Sequence, residues 1–240
     1  MKYMGSKARH AKEMLPIILK DRKEGQWYVE PFVGGCNMID KVEGNRIGAD
    51  VHEYLIAMWQ AVSVGWLPSM TITEEVYQQV KQSKDEDKKL TGHVGFSMSF
   101  GGKWFGGYRR DIAGTQNDVS LKKFNEDNQN RMSLSALKKQ QVKLVGVQFH
   151  CCTYDALEFP SNSIIYCDPP YKGTTKYKDD FNHDKFYDWC REKHKEGHQV
   201  FVSEYEMPDD FICVWSKQVN SSLTKDTGGK KAVEKLFTLV

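Results

Sequence analysis

Residues 27–35 read Trp27-Tyr28-Val29-Glu30-Pro31-Phe32-Val33-Gly34-Gly35, and a second short run, Arg46-Ile47-Gly48-Ala49-Asp50, follows shortly after. Trp27-Tyr28-Val29 has the composition of a strand, and the glycines beyond it mark the turn by which the chain leaves it. A helix is expected from about Cys36, a second strand at Arg46-Ile47-Gly48-Ala49-Asp50, and another helix through Tyr54-Leu55-Ile56-Ala57-Met58-Trp59. Strand, helix, strand, helix in this order predicts an α/β fold built on a parallel sheet.

On the N-terminal side, Ala11, Met14, Leu15, Ile18 and Leu19 recur at helical spacing between basic residues and predict an amphipathic helix over residues 6–24. On the C-terminal side the texture changes. Residues 67–144 are polar and helix-prone around Phe100-Gly101-Gly102-Lys103-Trp104-Phe105-Gly106-Gly107-Tyr108-Arg109-Arg110, which reads as an insertion. Strand patterns resume at Val147-Gln148-Phe149-His150-Cys151-Cys152, Ser163-Ile164-Ile165-Tyr166-Cys167 and Gln199-Val200-Phe201-Val202-Ser203, with a helix over residues 184–196 before the last. Phe211-Ile212-Cys213-Val214-Trp215 and Lys235-Leu236-Phe237-Thr238-Leu239-Val240 are expected to close the sheet as an antiparallel hairpin.

With 240 residues the chain is long enough for a core and a smaller insertion. No run of eighteen apolar residues occurs and the N-terminal residues lack the pattern of a secretory signal, so a soluble cytoplasmic protein is expected. The six cysteines fall mostly in apolar segments and are expected reduced and buried. A net charge of +2 means that any nucleic-acid partner must be met by a local basic patch.

Two stretches carry chemistry. Gly34 and Gly35 let backbone approach a ligand beyond the strand end, and Asp50, at the end of the next strand, is placed to accept ribose hydroxyls, with Glu30 beside it. The fingerprint GxGxxG is missing, which disfavours a nicotinamide or flavin and suits a nucleoside cofactor without phosphates; taken alone, a Gly-Gly pair equally marks a plain turn. The sharper stretch is Asp168-Pro169-Pro170-Tyr171 at the end of the apolar run Ile164-Ile165-Tyr166-Cys167. An exocyclic amine is a poor nucleophile while its lone pair is delocalised into the ring, so a site acting on it must hold both N–H groups. The Asp168 carboxylate accepts one and the Pro169 carbonyl the other, the prolines fix the direction of that carbonyl, and Tyr171 offers a face to an extracted base. The plainer reading is a proline-terminated strand.

In content and order these stretches resemble the Dam-like adenine-N6 DNA methyltransferases of the alpha group, D12 class. Tyr3-Met4-Gly5-Ser6-Lys7 resembles the N-terminal cofactor motif of that family, residues 29–35 its glycine loop, and Gly48-Ala49-Asp50 its ribose-binding acid. Thr153-Tyr154-Asp155 falls where its adenosyl-contacting acid sits, Asp168-Pro169-Pro170-Tyr171 is similar to its catalytic motif, and Ser203-Glu204-Tyr205-Glu206-Met207-Pro208 resembles phage and prophage members. Cys36 departs from the small residue commoner there, and the central segment resembles GATC-specific members only loosely.

The resemblance implies a Rossmann-like S-adenosylmethionine-dependent methyltransferase core, residues 1–66 and 145–240, interrupted by a small, mostly helical target-recognition domain, residues 67–144. It implies S-adenosyl-L-methionine held by Tyr3, Gly5, Lys7, Glu30, Phe32, Gly34, Gly35, Asp50, Asp155 and Asp168, and catalysis on a flipped-out adenine by Asp168, Pro169, Pro170 and Tyr171. Double-stranded DNA is the expected partner, the chain a monomer or weak dimer, with no membrane and no metal. Lys103, Trp104, Tyr108, Arg109 and Arg110 are expected to contact DNA, the aromatics by wedging into the base stack, although such aromatics also serve to pack helices. Lys217, Lys225, Lys230 and Lys231 are further candidates for backbone contacts. Tyr177 and Phe181 fit a loop folding over the pocket. His150-Cys151-Cys152 and the pair Cys190 and His194 lack the CxxC spacing of a zinc site. Rival readings are an RNA adenine methyltransferase and a DNA-binding protein without turnover.

Overall fold

The computed structural model describes residues 1–110, 119–172, 181–220 and 231–240. Among the described residues seven strands form one sheet in the order β3-β2-β1-β4-β5-β7-β6. They are β1 (Tyr28–Glu30), β2 (Arg46–Asp50), β3 (Val147–Cys151), β4 (Ile164–Cys167), β5 (Gln199–Glu204), β6 (Ile212–Asn220) and β7 (Lys231–Thr238). The first five run parallel, and β7 lies antiparallel between β5 and β6. The expected α/β fold and closing hairpin are both present.

Strands β1 and β4 are buried along their whole length, because a central parallel strand is covered on both faces. Alternation divides β4 between two cores. Ile164 and Tyr166 join Tyr28, Leu55, Trp59 and Leu144 on one face; Ile165 and Cys167 join Val29, Phe186 and Cys190 on the other. The first core packs α1 (Ala11–Ile18), α2 (Glu53–Ser63) and the end of α5 (Val119–Leu144) on the sheet, and the second packs α6 (His183–Lys195).

Two helices differ from expectation. That over residues 6–24 is a 3₁₀ turn at Lys7–Arg9 followed by the short α1, where Pro16 lacks the N–H that would continue the ladder and the helix ends at Ile18. The helix from Cys36 is a 3₁₀ turn at Ile39–Lys41, because Gly34 (φ 45°) and Cys36 (φ 54°) take left-handed backbone that no helix continues. The cysteines are all unpaired, but only Cys36, Cys167 and Cys190 are buried; Cys151 and Cys213 are exposed because they fall on outward positions of the edge strands.

The described residues between α2 and β3 are mostly helical, with α3 (Glu74–Gln82), α4 (Lys88–Gly92), a π-helical turn at His93–Ser97 and α5. Ile72, Tyr77, Val94, Met98, Phe105 and Tyr108 form a small core of their own, while Leu137 and Leu144 of α5 belong to the main one. Arg46 fastens this return to the sheet, its guanidinium donating to the carbonyls of Ile39, Lys143 and Val145. Cationic donors at a helix C-terminus satisfy carbonyls the helix leaves open. No described helix is long and apolar enough to cross a membrane.

Candidate active site

The order β2-β1-β4 reverses direction between β1 and β4, and in doubly wound sheets a ligand crevice opens at the carboxyl ends there. The glycine loop follows β1 and the Asp-Pro-Pro-Tyr turn follows β4, so adjacent strands bring the two sequence motifs side by side. Gly34 N–H donates to Asp50 Oδ2 at 3.2 Å, and His52 N–H donates to Oδ1 at 3.0 Å. The loop is held from behind by Trp59 Nε1 donating to Gly34 O and Gln140 Nε2 donating to Gly35 O. Tyr3 lies on the loop so closely that a β-carbon at Gly35 would stand 2.6 Å from its Cβ, and one at Gly34 2.8 Å from its ring. Gly5, at φ 79°, shapes the turn closed by Ser6 N–H donating to Tyr3 O, which delivers Lys7 to the interior.

Glu30 is buried, with Tyr28 O–H donating to it at 2.8 Å, and burial holds its carboxyl well above the usual range. Phe32 stacks on Tyr154 at 5.6 Å and meets Phe181 edge-on at 5.8 Å. Tyr177 lies outside the described residues. Asp155 is engaged instead by Lys185 of α6 at 2.5 Å, which holds its carboxyl below the usual range, and its neighbour Tyr154 is the side chain that reaches Phe32.

At the end of β4, Lys7 is almost fully buried and its Nζ lies 3.2 Å from Asp168 Oδ1 and 3.4 Å from Glu234 Oε2 of β7. It also sits 4.5 Å above the Tyr171 ring, a cation–π geometry. Tyr171 O–H donates to Glu234 Oε2 at 2.8 Å, and the edge-to-face contact of Tyr205 places its centroid 4.7 Å from that of Tyr171. Burial works against the Lys7 charge, but the Asp168 and Glu234 carboxylates outweigh it and raise its pKa. For Asp168 burial wins over the opposing Lys7 charge and pushes the carboxyl above the ordinary Asp range. Pro170 O is 3.0 Å from His183 Nε2 at the start of α6, which anchors the proline turn. Glu204, at the end of β5, accepts from Tyr205 N–H and Lys172 N–H; burial pushes its pKa up to about 7.

Glu234 and His183 escaped the sequence reading. Glu234 lies in the closing hairpin with no motif around it, and only the sheet order carries it to Lys7; Glu204 and Tyr205 were within reach because both stand in the stretch at 203–208.

The residues expected on DNA are placed differently from one another. Tyr108 is buried with its O–H donating to Ile72 O, and Trp104 stacks on Tyr54 at 5.3 Å and meets His52 edge-on at 4.3 Å. Tyr108 thus belongs to the small core, while the Trp104 ring is only partly buried and packs against Tyr54, His52 and Phe96. Arg109 is buried, and Asn125 donates to its carbonyl; Arg110 pairs with Glu74 of α3. Lys103 follows the Phe100–Gly102 turn, where Phe100 is 62% exposed. Lys217 pairs with Glu13, while Lys225, Lys230 and the side chain of Lys231 lie outside the described residues. Among the described residues no group of three or more His, Cys, Asp or Glu side chains is arranged to hold a metal.

Three acids, Glu30, Asp50 and Asp168, stand around the glycine loop, whose Gly34 and Gly35 are buried beneath Tyr3, with a half-buried aromatic wall at Phe32. That donor set fits a nucleoside bearing a positive charge. The arrangement is that of a doubly wound α/β core with the Asp-Pro-Pro-Tyr turn at its switch point. The chain belongs to the D12 class N6 adenine-specific DNA methyltransferase family, whose model matches residues 3–128 and 104–223. It is similar to the Type II methyltransferase M.FokI of Planomicrobium okeanokoites, with 24% identity over 264 aligned positions that cover 92% of this chain and 38% of that protein. The chain thus spans well under half the length of this relative.

Proposed function

We propose that this chain transfers a methyl group from S-adenosylmethionine to N6 of an adenine flipped out of a short specific sequence in duplex DNA. The observation that carries the reading is the convergence of Lys7, Asp168 and Tyr171 at the end of β4, beside the glycine loop. Tyr3, Gly5, Lys7, Glu30, Phe32, Gly34, Gly35 and Asp50 hold the cofactor, and Tyr154 is better placed than Asp155 to line its adenosyl side. When bound, the cofactor supplies an electrophilic methyl group.

The protein's own part is to hold the nitrogen. Asp168 accepts one N6–H and Pro169 O the other, which localises the lone pair and aims it. Lys7 draws Asp168 towards its ionised form against the effect of burial, and Asp168 is the nearest base for the proton that N6 must lose. Tyr171 provides the face on which the extracted base stacks. Residues 67–144 form the recognition unit, with Lys103 beside the exposed Phe100–Gly102 turn as its first candidate for contact with DNA.

The test is transfer of labelled methyl from S-adenosylmethionine to unmethylated genomic DNA, with total RNA in parallel, followed by nucleoside analysis and sequence mapping. N6-methyladenine at one short DNA motif is the expected result. Label in RNA alone would overturn the substrate, and cofactor binding without label in either would favour a DNA-binding protein without turnover.

A further inference from the structure

Resting on that reading, we infer that Glu234 of β7 is a positioning residue for the methyl-transfer site, acting through Lys7 and the Tyr171 hydroxyl. It lies beyond residue 223, where the family match ends, and none of the motifs includes it. One of its oxygens, Oε2, accepts the Tyr171 O–H at 2.8 Å and meets Lys7 Nζ at 3.4 Å, while the same ammonium meets Asp168 at 3.2 Å. The Glu234 side chain is 16% exposed, so solvent weakens these contacts little.

The geometry gives Glu234 two tasks. By accepting the hydroxyl hydrogen it fixes the orientation of the Tyr171 ring, the surface on which the base must lie flat. By sharing Lys7 it prevents the ammonium from closing a private pair with Asp168, whose oxygens must remain able to accept from N6. Hydrogen bonds to a charged acceptor are the strong ones, so the constraint on the ring is stiff. The register Glu204↔Lys235 pairs β7 with β5 and sets Glu234 one position along the strand, beside the Asp-Pro-Pro-Tyr turn. The groups around Glu234 are Lys7, Asp168 and Tyr171, with His10, Tyr166 and Tyr205 also within its field.

The experiment compares wild type, Glu234→Ala and Glu234→Gln in methyl-transfer kinetics against pH, with Tyr171 followed by ¹³Cζ-tyrosine NMR and assigned through Tyr171→Phe. Glu234→Ala is expected to lose about tenfold or more in kcat with both KM values little changed, the pattern of an interaction felt mainly in the transition state. Glu234→Gln keeps an acceptor oxygen and recovers most of that rate. Its acidic limb moves to lower pH, because a negative charge has been removed from beside Asp168. The Tyr171 resonance shifts in Glu234→Ala and returns towards wild type in Glu234→Gln. Equal rates in wild type and Glu234→Ala overturn the inference, as does equal loss in both variants with an unmoved pH profile, which would mark a merely structural role. An inactive wild type would overturn the functional reading instead, and the NMR comparison then decides the positioning role alone: an unmoved Tyr171 signal in Glu234→Ala rejects it.

Discussion

Asp168 is asked for two things that oppose each other: to be ionised, so that it accepts an N–H, and to stand in a water-poor site where hydrogen bonds are strong. Burial raises its pKa and Lys7 at 3.2 Å only partly offsets this. Replacing it by Ala removes the acceptor and leaves Lys7 to Glu234. Methyl transfer by Asp168→Ala is therefore expected to vanish while cofactor affinity, read by calorimetry, falls only modestly; a variant turning over at the wild-type rate would refute the mechanism. The same balance gives a sign to the pH dependence. A carboxyl whose pKa is raised takes up its proton at higher pH than an ordinary Asp, so kcat/KM is expected to fall on acidification with a limb above 3.8, the ordinary Asp value. A limb below that value would mean that Lys7, not burial, dominates.

The hairpin-like loop between Ser99 and Tyr108 shows at the element scale how one segment is held by packing. A bridge links Ser99 and Tyr108, Phe100 N–H donates to Gly107 O, and Trp104 fits against Gly95 where a β-carbon would stand 2.2 Å from its ring. Trp104→Ala is thus expected to act on stability, by about 3 kcal/mol in urea unfolding, since truncating a packed aromatic leaves a cavity. Lys103→Ala, one residue away, is expected to weaken DNA binding in a salt-dependent way with the urea midpoint unchanged. The opposite pattern, a stable Trp104→Ala that binds DNA poorly, would return Trp104 to the DNA surface.

In the whole molecule, the sheet order gathers at one end of its interior strands what the chain keeps far apart: Lys7 before α1, Asp168 after β4, Glu204 at the end of β5 and Glu234 on β7. This concentration of buried charge ties stability to pH. Glu204 has a pKa near 7 in the folded protein against 4.5 when exposed, so the folded state holds its proton more tightly. Its contribution is complete below pH 4.5 and is lost as pH rises through about 7. Wild type is accordingly expected to be destabilised over that interval by up to about 3 kcal/mol relative to Glu204→Gln, measured by urea unfolding at each end. Parallel pH profiles for the two proteins would show that the two backbone donors, from Lys172 and Tyr205, already stabilise the carboxylate.

The parallel sheet, the closing hairpin and the Asp168-Pro169-Pro170-Tyr171 turn were legible in the residues because each rests on local pattern: apolar runs, alternation, and glycine or proline at strand ends. Short-range patterns also misled, since residues 6–24 and the stretch after Cys36 carry helical spacing but are interrupted by Pro16 and by left-handed backbone at Gly34 and Cys36. The partners lay beyond reach, because Lys7 with Glu234, Trp104 with Tyr54 and Arg110 with Glu74 meet only through crossovers and helix packing that no local pattern encodes. The sequence by itself determined which chemical groups stand at the strand ends. Only the tertiary structure decided which of them share a site, because ion pairs and aromatic contacts depend on distances of a few ångströms between residues far apart along the chain.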